Sequence, residues 1–154
     1  MRRARTTIRV QWGDADPAGI VYYPNYFHWF AVGTMALLAA WRVSFAAMFR
    51  RQSAGLPVIE AHARFLAAVS FEEELEVETI VAEVRTRAFR LEHTVWRGVQ
   101  RVAEGYEVRG WQHIDRDRPH EVTLLPIPDD LAAWLSGEGE IGASSSPDPA
   151  SPES

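Results

Sequence analysis

The sequence predicts an α+β protein in which a five-stranded antiparallel sheet wraps one long central helix, and three observations carry that prediction. Residues 26–41 are apolar almost all round, with only His28 and Thr34 offering polar groups, so this segment has no side to turn to water. Other segments alternate apolar and polar residues with the two-residue period of half-buried strands. Short links with no helix between them join the later strands, which makes their sheet antiparallel.

The first strand is expected over about residues 6–12, where Ile8, Val10 and Trp12 alternate with Thr7, Arg9 and Gln11. A loop with the turn Asp16-Pro17-Ala18-Gly19 follows. Pro24 then opens the helical segment, because its fixed φ and missing N–H suit a first helical position. A bilayer would also surround such a helix, but crossing one takes about 20 apolar residues and this run is shorter. The clearest strand is 58–69, with Ile59, Ala61, Ala63, Phe65, Ala67 and Val69 on one face and Glu60, His62 and Arg64 on the other. Its alanines leave room for a bulky helix. Strands over 75–85 and 87–97 come next, the second placing Phe89, Leu91, His93 and Val95 on one face. A further strand covers about 102–114, with residues 98–101 as the hairpin link. Pro128, Asp129 and Asp130 start a terminal helix that ends near Leu135. One domain is therefore expected over residues 1–135, followed by a disordered acidic tail rich in Gly, Ser and Pro over 136–154.

Composition narrows the function classes. The chain has 154 residues, the size of one domain, and no cysteine, which removes disulfides, thiol nucleophiles and cysteine-bound zinc. The formal charge of −5 owes four units to Glu138, Glu140, Asp148 and Glu153 in the tail. The remaining body is nearly neutral, with no general attraction for nucleic acid and no base-stacking or recognition motif. Arg2, Arg3 and Arg5 precede a polar, alternating segment rather than an apolar signal core, so no export signal is read and a cytoplasmic location is expected. His28, His62, His93, His113 and His120 show no metal-ligand spacing, and no metal or cofactor is expected. His93, on an apolar strand face, reads as a hydrogen-bonded core residue.

The stretch Gly13-Asp14-Ala15-Asp16-Pro17-Ala18-Gly19-Ile20-Val21-Tyr22-Tyr23-Pro24-Asn25-Tyr26 closely resembles the signature of the 4-hydroxybenzoyl-CoA thioesterase family. The resemblance continues more weakly to about Leu135, through Gly55-Leu56-Pro57, Ser70-Phe71-Glu72 and the arginine-containing strand pair over 84–95. It implies the hotdog fold and an acyl-CoA substrate, and it implies no metal or redox cofactor. It also implies dimers or tetramers with active sites between subunits. By the same resemblance, Asp16, immediately before Pro-Ala-Gly, is the catalytic carboxylate. The thioester carbonyl then lies at the start of the helix, polarised by a backbone N–H near Tyr23. Asp14 reads as a loop-capping residue.

That chemistry suits those residues. A thioester needs a held carbonyl, a stabilised oxyanion and an oxygen nucleophile. N–H groups at a helix start lack intrahelical partners and sit at the positive end of the macrodipole. Asp16 would attack the carbonyl directly or act as a general base on water. As a turn residue, it would instead satisfy nearby backbone N–H groups. Tyr22, Pro24, Asn25 and Tyr26 are the expected substrate-binding neighbours, with aromatic side chains fit for a flat acyl ring. Coenzyme A phosphates need cations, and Arg85, Arg87 and Arg90 are the candidates near one hairpin. The helix contains no acid, which disfavours the related branch that uses a helix-borne glutamate. Hydrolysis of an aromatic acyl-CoA, 4-hydroxybenzoyl-CoA or a relative, is thus the leading reading. Tyr23 supports it, because relatives with His at that position lean towards aliphatic substrates. The alternatives are aliphatic or carrier-protein-bound polyketide thioesters, a non-catalytic acyl-thioester binding module, or membrane attachment through the helix.

Overall fold

The computed structural model describes residues 2–41 and 53–138, together with Ala46 and Arg50. Along the chain run β1 (Arg3–Arg9), α1 (Pro24–Ala39), β2 (Ala54–Gly55), β3 (Val58–Phe65), β4 (Glu74–Val84), β5 (Ala88–Arg97), β6 (Gln100–Gly110), β7 (Gln112–His113) and α2 (Asp129–Leu135). The main sheet has five strands in the order β1-β4-β5-β6-β3, every neighbouring pair antiparallel. β2 and β7 form a separate two-residue pair.

Pro24 is the first residue of α1, as its geometry demands. The helix buries Tyr26, Trp29, Phe30, Gly33, Thr34, Leu37 and Leu38, a stripe with helical spacing that lies against the sheet. Two apolar clusters share that interface. Tyr26, Trp29 and Phe30 pack with Val77, Val95 and Val102, while Leu37 and Leu38 pack with Val81, Phe89, Leu91 and residues of α2. The opposite flank, with Phe27, Ala31, Val32, Met35 and Ala36, is only half-buried. A single sheet covers one side of a helix, so the enclosure that the apolar run demands is incomplete within one copy of the chain. Among the described residues no helix is long and apolar enough to cross a membrane.

At its closest approach to the sheet α1 carries glycine. A Cβ on Gly33 would stand 2.3 Å from Thr79 Oγ1. Beneath this point lies a buried polar network. His93 Nδ1 is 2.9 Å from Thr79 Oγ1, and the His93 ring stacks on Phe30 with centroids 4.6 Å apart. Thr34 Oγ1 donates to Glu107 Oε2 at 3.1 Å, and Arg109 Nε donates to the same oxygen at 2.9 Å. His93 Nε2 lies 3.6 Å from that carboxylate, too far to bond.

Strand boundaries depart from expectation, beginning with β1, which starts at Arg3 rather than near residue 6. β1 ends at Arg9, and a 3-10 turn over Trp12–Asp14 takes the chain away, leaving Trp12 79% exposed instead of inward. β3 stops at Phe65, although Ala67 and Val69 still pack inward from the following loop. The strand expected over 102–114 is split. Trp111 N–H turns to the Arg87 carbonyl, and the chain resumes as β7 against β2. Beyond α2, backbone bonds hold Ser136, Gly137 and Glu138, the first residues of the tail expected over 136–154, and residues 139–154 lie outside the described residues.

Candidate active site

The loop between β1 and α1 is a small hairpin folded onto the sheet. Asp16 N–H donates to the Ile20 carbonyl at 2.9 Å, Ala15 pairs with Val21, and Tyr22 N–H donates to the Asp14 carbonyl at 2.8 Å. Gly19 closes the turn at φ +81°, a conformation that suits glycine. Val21 anchors the hairpin, buried and with its N–H on the Val69 carbonyl at 2.8 Å. In that register Asp14, Asp16, Ile20 and Tyr22 share the face opposite Ala15 and Val21.

Asp14 is the clip of this loop. Its carboxylate accepts the Gln11 N–H at 2.8 Å, and its carbonyl accepts Asn25 Nδ2 at 2.9 Å. Asp16 is half-buried. Its Oδ1 accepts the Ala18 N–H at 2.8 Å, so the turn-forming bond is present. The residue also borders a cavity of about 420 Å³ whose other walls are Trp12, Ala15, Pro17, Gly19 and Phe71. Trp12 and Phe71 meet edge to face at 5.1 Å. A carboxylate keeps oxygen lone pairs after one such bond, so the turn role does not consume it.

Tyr23 caps the N-terminus of α1 and is 57% exposed. Its backbone N–H makes no hydrogen bond among the described residues, whereas Tyr22 and Asn25 N–H groups are both engaged. Pro24 has no N–H to offer, so the Tyr23 N–H is the open donor at the positive end of a 16-residue helix. Asn25 and Pro24 therefore shape the donor. Tyr22 is exposed, its ring 5.5 Å from that of Tyr23, and Tyr26 is buried with its ring 5.0 Å from Trp29. Burial raises the Tyr26 phenol above its usual range against the pull of Arg97. A second cavity of about 320 Å³ opens beside these tyrosines.

The three arginines do not form one cluster. Arg85 is exposed and bound to Glu83 at 2.7 Å, while Arg87 is exposed and makes no side-chain hydrogen bond or ion pair among the described residues. Arg90 departs from the expected hairpin group, because strand alternation turns it onto the outer sheet face, where it lies 3.7 Å over the Tyr106 ring. Moreover, the hairpin is at the wrong end of its own chain. The Asp16 loop meets β4 at its start, where Val10 N–H bonds the Glu73 carbonyl, and Arg85 follows the last residue of that 11-residue strand, about 30 Å away.

Sequence reasoning did not place Trp12, Phe65 or Phe71 at the site. Trp12 and Phe65 were read as inward strand residues, and alternation alone carries no signal that a strand ends beside a cavity. No group of three metal-ligating side chains occurs among the described residues.

A family model, that of the thioesterase-like superfamily, matches residues 10–135. The chain belongs to that superfamily. It is 32% identical over 138 residues to the 4-hydroxybenzoyl-CoA thioesterase of Pseudomonas sp. (strain CBS-3), spanning 83% of this chain and 94% of the relative. It is 31% identical over 132 residues to the 1,4-dihydroxy-2-naphthoyl-CoA hydrolase of Thermosynechococcus vestitus, spanning 85% and 87%. The solved structure of the Pseudomonas enzyme superposes with a TM-score of 0.77 at 27% identity, covering 88% of this chain and 99% of that one. A gentisyl-coenzyme A thioesterase superposes with a TM-score of 0.76 at 28% identity, covering 83% and 98%. The fold is the hotdog fold, and this superfamily member is a thioester hydrolase.

Proposed function

We propose that the enzyme hydrolyses an aromatic acyl-CoA, 4-hydroxybenzoyl-CoA or a related aroyl-CoA, to the free acid and coenzyme A. The observation that carries this reading is the tie, through the Asp14 carbonyl, between the hairpin that holds a half-buried Asp16 beside a cavity and the start of α1 with its unsatisfied Tyr23 N–H. The relatives named for hydroxybenzoyl-, dihydroxynaphthoyl- and gentisyl-CoA support the aromatic class.

In this mechanism the carbonyl oxygen points at the Tyr23 N–H, which stabilises the developing oxyanion with the helix dipole behind it. Losing such a donor typically costs on the order of 3 kcal/mol in the barrier. Asp16 acts either as the nucleophile, attacking the carbonyl to form an acyl anhydride that water then cleaves, or as the general base, taking a proton from the water whose oxygen attacks. The thiolate of coenzyme A leaves in both routes. Tyr22, Pro24, Asn25 and Tyr26 shape the acyl side.

The phosphates are assigned to Arg85 and Arg87 of a second copy. β1 is one edge of the sheet and β3 is the other. Its Val58 end lies on the arginine side and its Phe65 end on the Asp16 side, because Val58 pairs with Arg109 and Ala88 with Gly110. Two copies joined antiparallel across β3 bring the arginine end of each to the carboxylate end of the other. A homo-oligomer, dimer or tetramer, also covers the half-buried flank of α1. The absence of cysteine fits a cytoplasmic enzyme.

A thiol-release assay over benzoyl-, 4-hydroxybenzoyl-, hexanoyl- and palmitoyl-CoA tests the substrate class. Faster turnover of the aroyl esters is expected, and cleavage of the long aliphatic esters alone contradicts the reading.

A further inference from the structure

We propose that Phe65 is the specificity-determining side chain of the acyl site, the wall against which the ring of an aroyl group packs. The inference rests on the thioesterase reading above and names the group that selects its acyl class. Phe65 is the last residue of β3, and its ring reaches across to the helix start, 4.9 Å from Tyr26 and 6.2 Å from Tyr23. It links the tyrosine that caps α1 to the one buried beneath it.

Two features separate this ring from ordinary packing. It stays 46% exposed at the end of the edge strand, whereas Phe89, Leu91 and Val95 of the interior strand β5 are fully buried. The exposed part lines the cavity of about 320 Å³, together with Ile20, Val21, Tyr23, Tyr26 and Val69. The tyrosine hydroxyls are the only polar side-chain atoms in that lining. A space of this size fits an acyl group and not a whole coenzyme A, and its uncharged walls favour an uncharged ring. Aromatic pairs in tilted or edge-to-face contact gain stability beyond the area they bury, so a ring entering between Phe65 and Tyr23 gains more than an alkyl chain of equal size.

The test compares kcat/KM for benzoyl-CoA and hexanoyl-CoA in the full-length wild type, Phe65→Leu, Phe65→Ala and Phe65→Tyr. Phe65→Leu keeps an apolar side chain and loses the ring. It is expected to lower the benzoyl-to-hexanoyl ratio about tenfold, chiefly through benzoyl-CoA, and Phe65→Ala at least as much. Phe65→Tyr, which restores the ring, is expected to return the ratio to within about twofold of wild type. Equal losses on both esters would mean a packing role only and would overturn the proposal, as would an unchanged ratio. Urea unfolding of each variant checks folding, and Phe65→Tyr keeps the test decisive if Phe65→Ala unfolds. Wild type that releases no thiol from either ester removes the proposed aroyl-CoA reading and this inference with it. An active wild type with an unmoved ratio removes this inference alone.

Discussion

Asn25 Nδ2 donates to the Asp14 carbonyl at 2.9 Å, and the same carbonyl accepts the Tyr22 N–H at 2.8 Å. One oxygen thereby joins the first turn of α1 to the hairpin that presents Asp16. The proposed nucleophile and oxyanion donor come from different elements, and their spacing depends on this clamp.

Asn25→Ala is accordingly expected to lower kcat by about tenfold, the worth of one partly buried hydrogen bond, while leaving KM within about twofold. Steady-state kinetics on benzoyl-CoA check this. A rise in KM with unchanged kcat would instead make Asn25 a ground-state binding residue.

Arg87 is exposed and makes no side-chain hydrogen bond or ion pair among the described residues, unlike Arg85 with its Glu83 partner. Arg87→Glu should raise KM for coenzyme A esters by about tenfold and leave kcat nearly unchanged, as loss of a phosphate contact does. The matching N-acetylcysteamine thioester lacks phosphates and should be cleaved equally by both proteins. A parallel loss on that short substrate would contradict phosphate binding.

Gly33 is where α1 lies closest to β4. An added Cβ meets Thr79 Oγ1, a short side chain held by His93. Gly33→Ala is expected to destabilise the fold by about 1–3 kcal/mol in urea unfolding despite alanine's higher helix propensity. A more stable variant would show that the helix moves away freely.

The buried network gives stability a pH dependence. Burial holds the His93 imidazole below its usual value of 6.5, assisted by Arg109 and opposed by Glu107. Burial pushes the Glu107 carboxyl up, but His93 and Arg109 outweigh it and hold it below the usual carboxylate range. Both groups take up protons more readily in the unfolded chain. The His93 contribution is therefore complete above about pH 6.5 and is lost as pH falls below it, with that of Glu107 following below about 4.5. Urea unfolding between pH 7.5 and 5.5 should show a steeper decline for wild type than for His93→Gln. Equal slopes would contradict the assignment.

Much of the fold was legible because single elements carried unambiguous physics. Pro24 marked the helix start, and Phe89, Leu91, His93 and Val95 alternated cleanly because β5 lies inside the sheet with one face on the core. The motif placed Asp16 and Tyr23 on one loop and helix start. Trp12 turns away from the side alternation gives it, and Phe65 faces the helix as expected but stays half exposed. Alternation reports which side a residue faces, while exposure at a strand end depends on where neighbouring elements stop. Arg90 was grouped with Arg85 and Arg87 by proximity in sequence, but it lies within a strand, where position parity outweighs nearness and turns it to Tyr106.

The account stands most directly on single-turnover thiol release from benzoyl-CoA by Asp16→Asn beside wild type. The substitution keeps an oxygen that can accept the Ala18 N–H and removes the carboxylate. A rate lower by roughly a hundredfold or more is predicted, with benzoyl-CoA still bound. An Asp16→Asn enzyme that releases thiol as fast as wild type would contradict the assignment.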